Sequence, residues 1–213
     1  FYWKNKFFRI RNFSFSKKTY LDSFRRIWPV TWQLGLTGLC AFMGTKANIL
    51  IGSSILGVDK TASYSLSITV IGAIYSLSLV PSNVIQPQLS YHFVNKNRAK
   101  FTEIYSESLI YGLFLAISGL GIFLVMGDNI ILLLNSKTNL VGRIPFLILS
   151  IFSLLELNHT VACQSIASAN CIPFLKTSTI TSICSVLMTT FGCYFFGIWG
   201  CMFASGITNL GFN

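Results

Sequence analysis

Four apolar stretches of this chain run for more than 20 residues with hardly a charge in them. A helix rises 1.5 Å per residue and needs about 20 apolar residues to cross roughly 30 Å of hydrocarbon. Composition sharpens the point. Lys, Arg, Asp and Glu together make up 10% of 213 residues, against about 25% in soluble domains. Too few charges are present to cover a water-soluble enzyme of this size, and the chain is too apolar to be disordered. No ten-residue alternation of polar and apolar positions appears, which excludes a transmembrane β-barrel. The expected class is an all-α integral membrane protein.

Laying the apolar stretches across a bilayer predicts about six transmembrane helices. The spans fall at 28–56, 61–90, 101–126, 144–168 and 174–196, with a sixth from Trp199 that is cut off at Asn213. Pro29 is expected in the opening turn of the first span, where proline is tolerated. Gly57–Lys60 makes the first turn, His92–Lys100 a basic loop, Gly127-Asp128-Asn129 the end of the third span, and Asn170-Cys171-Ile172-Pro173 the turn into the fifth. Residues 1–26 form a separate basic segment. The start at Phe1 and the unfinished apolar end lead to the expectation of a fragment of a longer protein.

Charge placement orients the bundle. Eight of the 16 Lys and Arg lie in the first 26 residues: Lys4, Lys6, Arg9, Arg11, Lys17, Lys18, Arg25 and Arg26. With this block inside, Lys96, Arg98, Lys100 and Lys176 fall on the same side, giving twelve against Lys60, Lys137 and Arg143 outside. By the excess of basic residues on cytoplasmic loops, the N-terminus is cytoplasmic. The formal net charge of +10 therefore records topology and contact with anionic headgroups, and a nucleic-acid partner is not expected.

Cys40, Cys163, Cys171, Cys184, Cys193 and Cys201 lie in or beside apolar stretches without a CxxC pair. They read as small buried hydrophobes, with neither a disulfide framework nor a zinc site. The sequons at Asn12 and Asn158 fall in the basic block and within a span, so neither is a glycosylation acceptor. HExxH, GxSxG and Walker motifs are absent, and Glu103 and Glu107 lie near the start of the third span. No enzyme is expected, and no cofactor.

The polar residues inside spans carry the functional information. Lys46 lies in the middle of the first span, where a charge costs about 2.5–3.5 kcal/mol on insertion scales. On an unbroken helix Ser53 and Gly35 lie within about 20° of it, so its side is small and polar. Lys46 is either an ammonium that attracts an anionic substrate group, or a snorkelling or ion-paired side chain. Glu156 stands at the centre of the fourth span beside Asn158 and His159, on a stripe of Ser153, Glu156, Thr160 and Cys163. Glu156 and His159, three residues apart, are candidates for coupling to an ion, H+ or Na+. The alternatives are an interhelical network or a Glu156–Lys46 salt bridge. His159 and Cys163 lack a third metal ligand. Pro81 and Pro87 each free a carbonyl one turn earlier and are hinge candidates. Gln33, Asn48 and Gln164 are further polar side chains suited to sugar hydroxyls.

Three strings also carry a likeness: TWQLGLTGLCAFMGTKANILIGSSILG (Thr31–Gly57), YSLSITVIGAIYSLSLVPSNVIQPQLS (Tyr64–Ser90) and LLELNHTVACQSIASANCIPF (Leu154–Phe174). Their overall pattern resembles bacterial lipid-linked polysaccharide flippases of the Wzx type. These belong to the multidrug/oligosaccharidyl-lipid/polysaccharide exporter superfamily, which has no short diagnostic motif. The resemblance implies one bundle, the second, of a two-bundle transporter in the bacterial cytoplasmic (inner) membrane. It implies translocation of an undecaprenyl-diphosphate-linked oligosaccharide by alternating access, for O-antigen-like surface polysaccharide. Lys46, with Asn48, Gln33 and Gln164, would then bind substrate, Glu156 and His159 would couple an ion, and Pro81 and Pro87 would form the hinge. The expected partners are the lipid-linked oligosaccharide, membrane lipids and other polysaccharide assembly proteins. A cation-coupled multidrug exporter and a membrane glycosyltransferase or polymerase are the rival classes.

The topology predicts that alkaline phosphatase fused after Lys60 is active and that the same reporter fused after Lys96 is inactive. The reverse pattern would invert the bundle.

Overall fold

The computed structural model describes residues 17–133, 138–167 and 175–212, and every regular element among them is helical. In chain order they are α1 (Lys17–Phe42), a π-helical turn (Met43–Ala47), α2 (Asn48–Leu56), α3 (Val58–Ser78), α4 (Val80–Val94), α5 (Arg98–Leu133), α6 (Arg143–Ala167), α7 (Leu175–Phe196) and α8 (Ile198–Phe212). Four segments are long and apolar enough to cross a membrane: Val58–Val94, Arg98–Leu133, Arg143–Ile166 and Thr179–Phe196. This is the helical, membrane-compatible class that the apolar stretches require. The expected spans 144–168 and 174–196 coincide closely with α6 and α7. The expected turn at Asn170–Pro173, Lys137 and the first 16 residues lie outside the described residues.

Four local expectations are corrected. Helix α1 begins at Lys17, so Pro29 lies inside it rather than in its opening turn, and part of the 1–26 segment is helical. The first span is not one unbroken helix, because the π turn separates α1 from α2. Such a turn closes i→i+5 hydrogen bonds and inserts an extra residue, so Gly35 does not keep the register with Lys46 that a continuous helix gives it. The third span does not end at Gly127-Asp128-Asn129, since α5 runs on to Leu133. Gly127 is buried under Leu140, whose Cδ1 would lie 2.6 Å from an added Cβ. Its glycine thus answers a close approach, not a helix end. Finally, Cys193 and Cys201 are not two free hydrophobes but a disulfide, with Cα atoms 5.2 Å apart across eight residues. The hairpin at Gly197, where φ is +61°, folds α8 back on α7 and makes that bridge; no short CxxC spacing announces it.

In the second span, α3 and α4 are separated at Leu79. Pro81 sits in the first turn of α4 and Pro87 inside it. The ladder is nevertheless continued through the junction, with Leu79 N–H donating to Tyr75 O at 3.1 Å and Asn83 N–H to Leu79 O at 3.0 Å. The two helices therefore run as one rod with a local irregularity.

Helix α3 occupies the middle of the assembly, packed by α2, α5 and α6, while α7 and α8 form the closest pair. Tyr64, Ile71, Ile74, Leu120, Phe146, Leu149 and Met202 build the main core. A second cluster of Ala116, Leu157 and Val161 lies between α5 and α6, with Tyr75 and Leu79 against it. Between helices in a bilayer, van der Waals contact replaces the hydrophobic drive, so small residues mark the seams. Gly112 meets the Ser78 carbonyl, which would lie 2.8 Å from an added Cβ, and Gly192 meets the backbone of Gly200 at 2.7 Å on the same measure. The loop before α6 is tied to α3 by Val141 N–H donating to Ser67 Oγ at 3.0 Å.

Overpacking a filled seam costs about 1–3 kcal/mol. Gly112→Leu, facing a carbonyl that cannot rotate away, should lower thermal stability in detergent by that order. Gly121→Leu, with open space around it, should leave it nearly unchanged; equal effects would refute the α3–α5 seam.

Candidate functional site

Hydroxyls in apolar helices have a local partner at hand in the carbonyl four residues back. Most of those here use it: Thr61, Ser67, Thr69, Ser76 and Ser78 each donate to their own helix at 2.8–2.9 Å. The polar groups that bond across helices are fewer, and they fall into two seams.

The first seam joins α1, the π turn and α2 to α7. Asn48 is 2% exposed; its Nδ2 donates to Ser185 Oγ at 3.4 Å and its Oδ1 accepts from Thr189 Oγ1 at 2.9 Å. One turn before the π turn, Ser182 Oγ donates to the Cys40 carbonyl at 2.8 Å. Ser182, Ser185 and Thr189 recur at helical spacing and present one polar edge of α7. Residues 43–47 thus depart from α geometry beside a polar helix edge, and Lys46 stands in this turn. Its side chain is exposed. Phe42 (63%), Met43 (48%) and Leu50 (69%) are exposed around it, so its immediate surroundings are apolar.

The second seam joins α3 and α4 to α6. Tyr75 Oη donates to Thr160 Oγ1 at 2.7 Å. Ser82 Oγ donates to Gln164 Oε1 at 2.6 Å, and Gln164 Nε2 donates to Asn83 Oδ1 at 3.0 Å. Glu156 is half-buried on the same helix, within electrostatic range of Tyr75. His159 Nε2 and Cys163 Sγ are 3.1 Å apart.

The residues singled out from sequence are thereby divided. Gln164, Glu156 and His159 gather on the second seam, with Pro81 in the neighbouring first turn of α4 and Pro87 exposed two turns on. Lys46 and Asn48 belong to the first seam, and Gln33 is half-buried farther back on α1, its carbonyl accepting from Thr37 at 2.8 Å. The Glu156–Lys46 salt bridge is not formed. The π turn packs against α1, α2 and α7, not α6, and the ion pair among the described residues is Lys100–Glu103 at 2.9 Å, at the exposed start of α5. Asn48 is committed at both ends of its amide to α7, which leaves Lys46 as the freer of the two groups. No three His, Cys, Asp or Glu side chains among the described residues come together as a metal site.

Two contributors escape a reading of the sequence. The α7 edge of Ser182, Ser185 and Thr189 was detectable from its spacing within an apolar run. Tyr75 was not, because nothing local distinguishes it from the other hydroxyls of α3. A shallow apolar groove of about 300 Å³ on α1, lined by Trp28, Thr31, Trp32 and Leu36 among others, lies apart from both seams. No family model, curated protein or solved structure matches the chain.

Interhelical hydrogen bonds in a bilayer average about 0.6 kcal/mol and reach about 1.7 kcal/mol in double-mutant cycles. A cycle of Asn48→Ala and Thr189→Ala, read by unfolding in detergent, should show a coupling in that range. Lys46→Ala should cost no comparable stability, and additive single effects would remove the Asn48–Thr189 bond from the fold.

Proposed function

We propose that this chain forms one bundle of about six transmembrane helices of a two-bundle transporter. Its cargo is an undecaprenyl-diphosphate-linked oligosaccharide, moved from the cytoplasmic to the periplasmic leaflet of a bacterial inner membrane by alternating access. The observation that carries the reading is Lys46: a cation on a π turn between two apolar helices, unpaired with any carboxylate among the described residues. A diphosphate-sugar head cannot enter hydrocarbon alone, and a cation inside the membrane lowers the cost of carrying it. π turns inside helices recur at functional sites. The sequence resemblance to Wzx-type flippases points the same way.

In this scheme Lys46 meets the diphosphate, with Gln33 near its helix, while Gln164, held at both ends of its amide by Ser82 and Asn83, orients the polar seam beside the sugar. Glu156 and His159 bind the coupling ion, H+ or Na+, and the α3–α4 junction at Leu79–Pro81 absorbs the rocking motion. The disulfide supports the orientation. Disulfides persist in oxidising compartments, and with the N-terminal block cytoplasmic the α7–α8 turn at Gly197 lies on the periplasmic side. A cation-coupled drug exporter is the second reading. It is favoured by one feature: Glu156 has no basic partner among the described residues, so its carboxylate is open to a cationic cargo.

Lys46→Ala should abolish surface polysaccharide at unchanged membrane abundance, and Lys46→Arg should retain much of it. Normal polysaccharide in the alanine variant would exclude Lys46 from transport.

A further inference from the structure

The exposed surface of the α3–α4 rod has two unlike flanks. Ala73, Leu77, Val80 and Val84 are exposed on one, a composition suited to lipid tails. Thr69, Gly72, Ser76 and Asn83 are exposed on the other, in steps of three, four and seven that keep them in one line. From Thr69 to Asn83 that line covers about 21 Å at 1.5 Å per residue, most of the depth of a bilayer.

Its neighbour is α6. Tyr75, which adjoins the line, reaches Thr160 across the seam. On α6 the residues to one side of Thr160, Leu157 and Val161, are buried against Ala116. Those to the other side are Glu156 and Cys163, with His159 one step beyond, all only partly buried. The Tyr75–Thr160 bond thus marks the contact between the two helices. Apolar core lies on one side of it, and on the other the polar line of α3–α4 and the polar flank of α6 are both left exposed or partly exposed.

Hydroxyls alone would not decide what covers these flanks. Thr69 and Ser76 donate to the carbonyls of Ser65 and Gly72, and a hydroxyl satisfied in this way is tolerated in lipid. Glu156 and Asn83 cannot be satisfied so. The carboxylate makes no hydrogen bond or ion pair among the described residues, and the exposed Asn83 uses its carbonyl oxygen for Gln164 while its NH2 group makes no hydrogen bond among them. An amide and a carboxylate left open to hydrocarbon each cost several kcal/mol. Lipid does not cover them.

We propose that a cleft between α3–α4 and α6 is filled with water and binds a polyhydroxylated, sugar-like head group. Its lining alternates acceptors (the hydroxyl lone pairs of Thr69 and Ser76, the Glu156 carboxylate) with donors (the Asn83 amide, His159), as vicinal hydroxyls demand. No Lys or Arg among the described residues lies in it, so it is complementary to neutral or amino sugars and not to a phosphate. Naming a glycan rests on the flippase reading; the hydration of the cleft does not.

The test uses the whole chain with Cys40, Cys163, Cys171 and Cys184 replaced by Ser and the Cys193–Cys201 bridge kept. Single Thr69→Cys, Ser76→Cys, Ala73→Cys and Leu77→Cys variants are treated with a charged, water-soluble methanethiosulfonate in membranes. The thiolate, which needs water to form, attacks such reagents and displaces methanesulfinate, so Thr69→Cys and Ser76→Cys should react at least about tenfold faster than the other two. Equal rates overturn the wet cleft whatever the protein transports. In cells, Ser76→Trp should lower surface polysaccharide about tenfold, near 1.4 kcal/mol, at full protein level, and Leu77→Trp should not. Equal export by the two tryptophan variants, with Lys46→Ala inactive, overturns glycan binding in the cleft and leaves the flippase reading standing.

Discussion

The absence of water in the bilayer core governs everything else in this structure. Backbone groups must be satisfied inside each segment, which leaves helices as the sole option for a chain without barrel periodicity. The same rule reaches the side chains. Most serines and threonines on α3 spend their hydroxyls on their own helix, as Ser67 does on Ser63 and Ser78 on Ile74. A Ser or Thr hydroxyl that bonds across a seam is therefore a choice of geometry, since a local partner was at hand. Asn48 with Ser185 and Thr189, Tyr75 with Thr160, and Ser82 with Gln164 are those choices, and they define the two polar seams.

Close approach is the second consequence. Without a hydrophobic drive between helices, contact area has to come from small residues that let backbones meet. Gly112 under Ser78 and Gly192 against Gly200 do this on different faces of the molecule. The second contact also draws Cys193 and Cys201 within disulfide reach, so one packing decision explains both the α7–α8 hairpin and its covalent clasp.

Lys46 and Glu156 stand on different seams, and this division shapes the functional reading. An ion pair between Lys46 and Glu156 would have made both structural. Held apart, the ammonium and the carboxylate are available to two different groups: an anionic one at the π turn, and a cationic or hydroxylated one beside α6. A cargo with a diphosphate at one end and sugars at the other has that polarity of needs, which is why the flippase reading accommodates both charges where an exporter of simple cations leaves Lys46 without a task.

The amino-acid sequence by itself determined the membrane class, the positions of α6 and α7 and the rarity of Lys46 and Glu156, because hydrophobic length and charge scarcity are sums along the chain. It mistook Gly127 for a helix end, since glycine at a turn and glycine under Leu140 are the same letter. It could not contain the π turn, whose extra residue shifts every register argument between Gly35 and Ser53. Nor could it pair Cys193 with Cys201, join Tyr75 to Thr160, or separate Lys46 from Glu156. Those facts depend on which helix lies beside which, and an apolar helix carries little record of its neighbours when lipid tails are as apolar as leucine. Only the tertiary structure decided them, through small-residue contacts and a few interhelical hydrogen bonds.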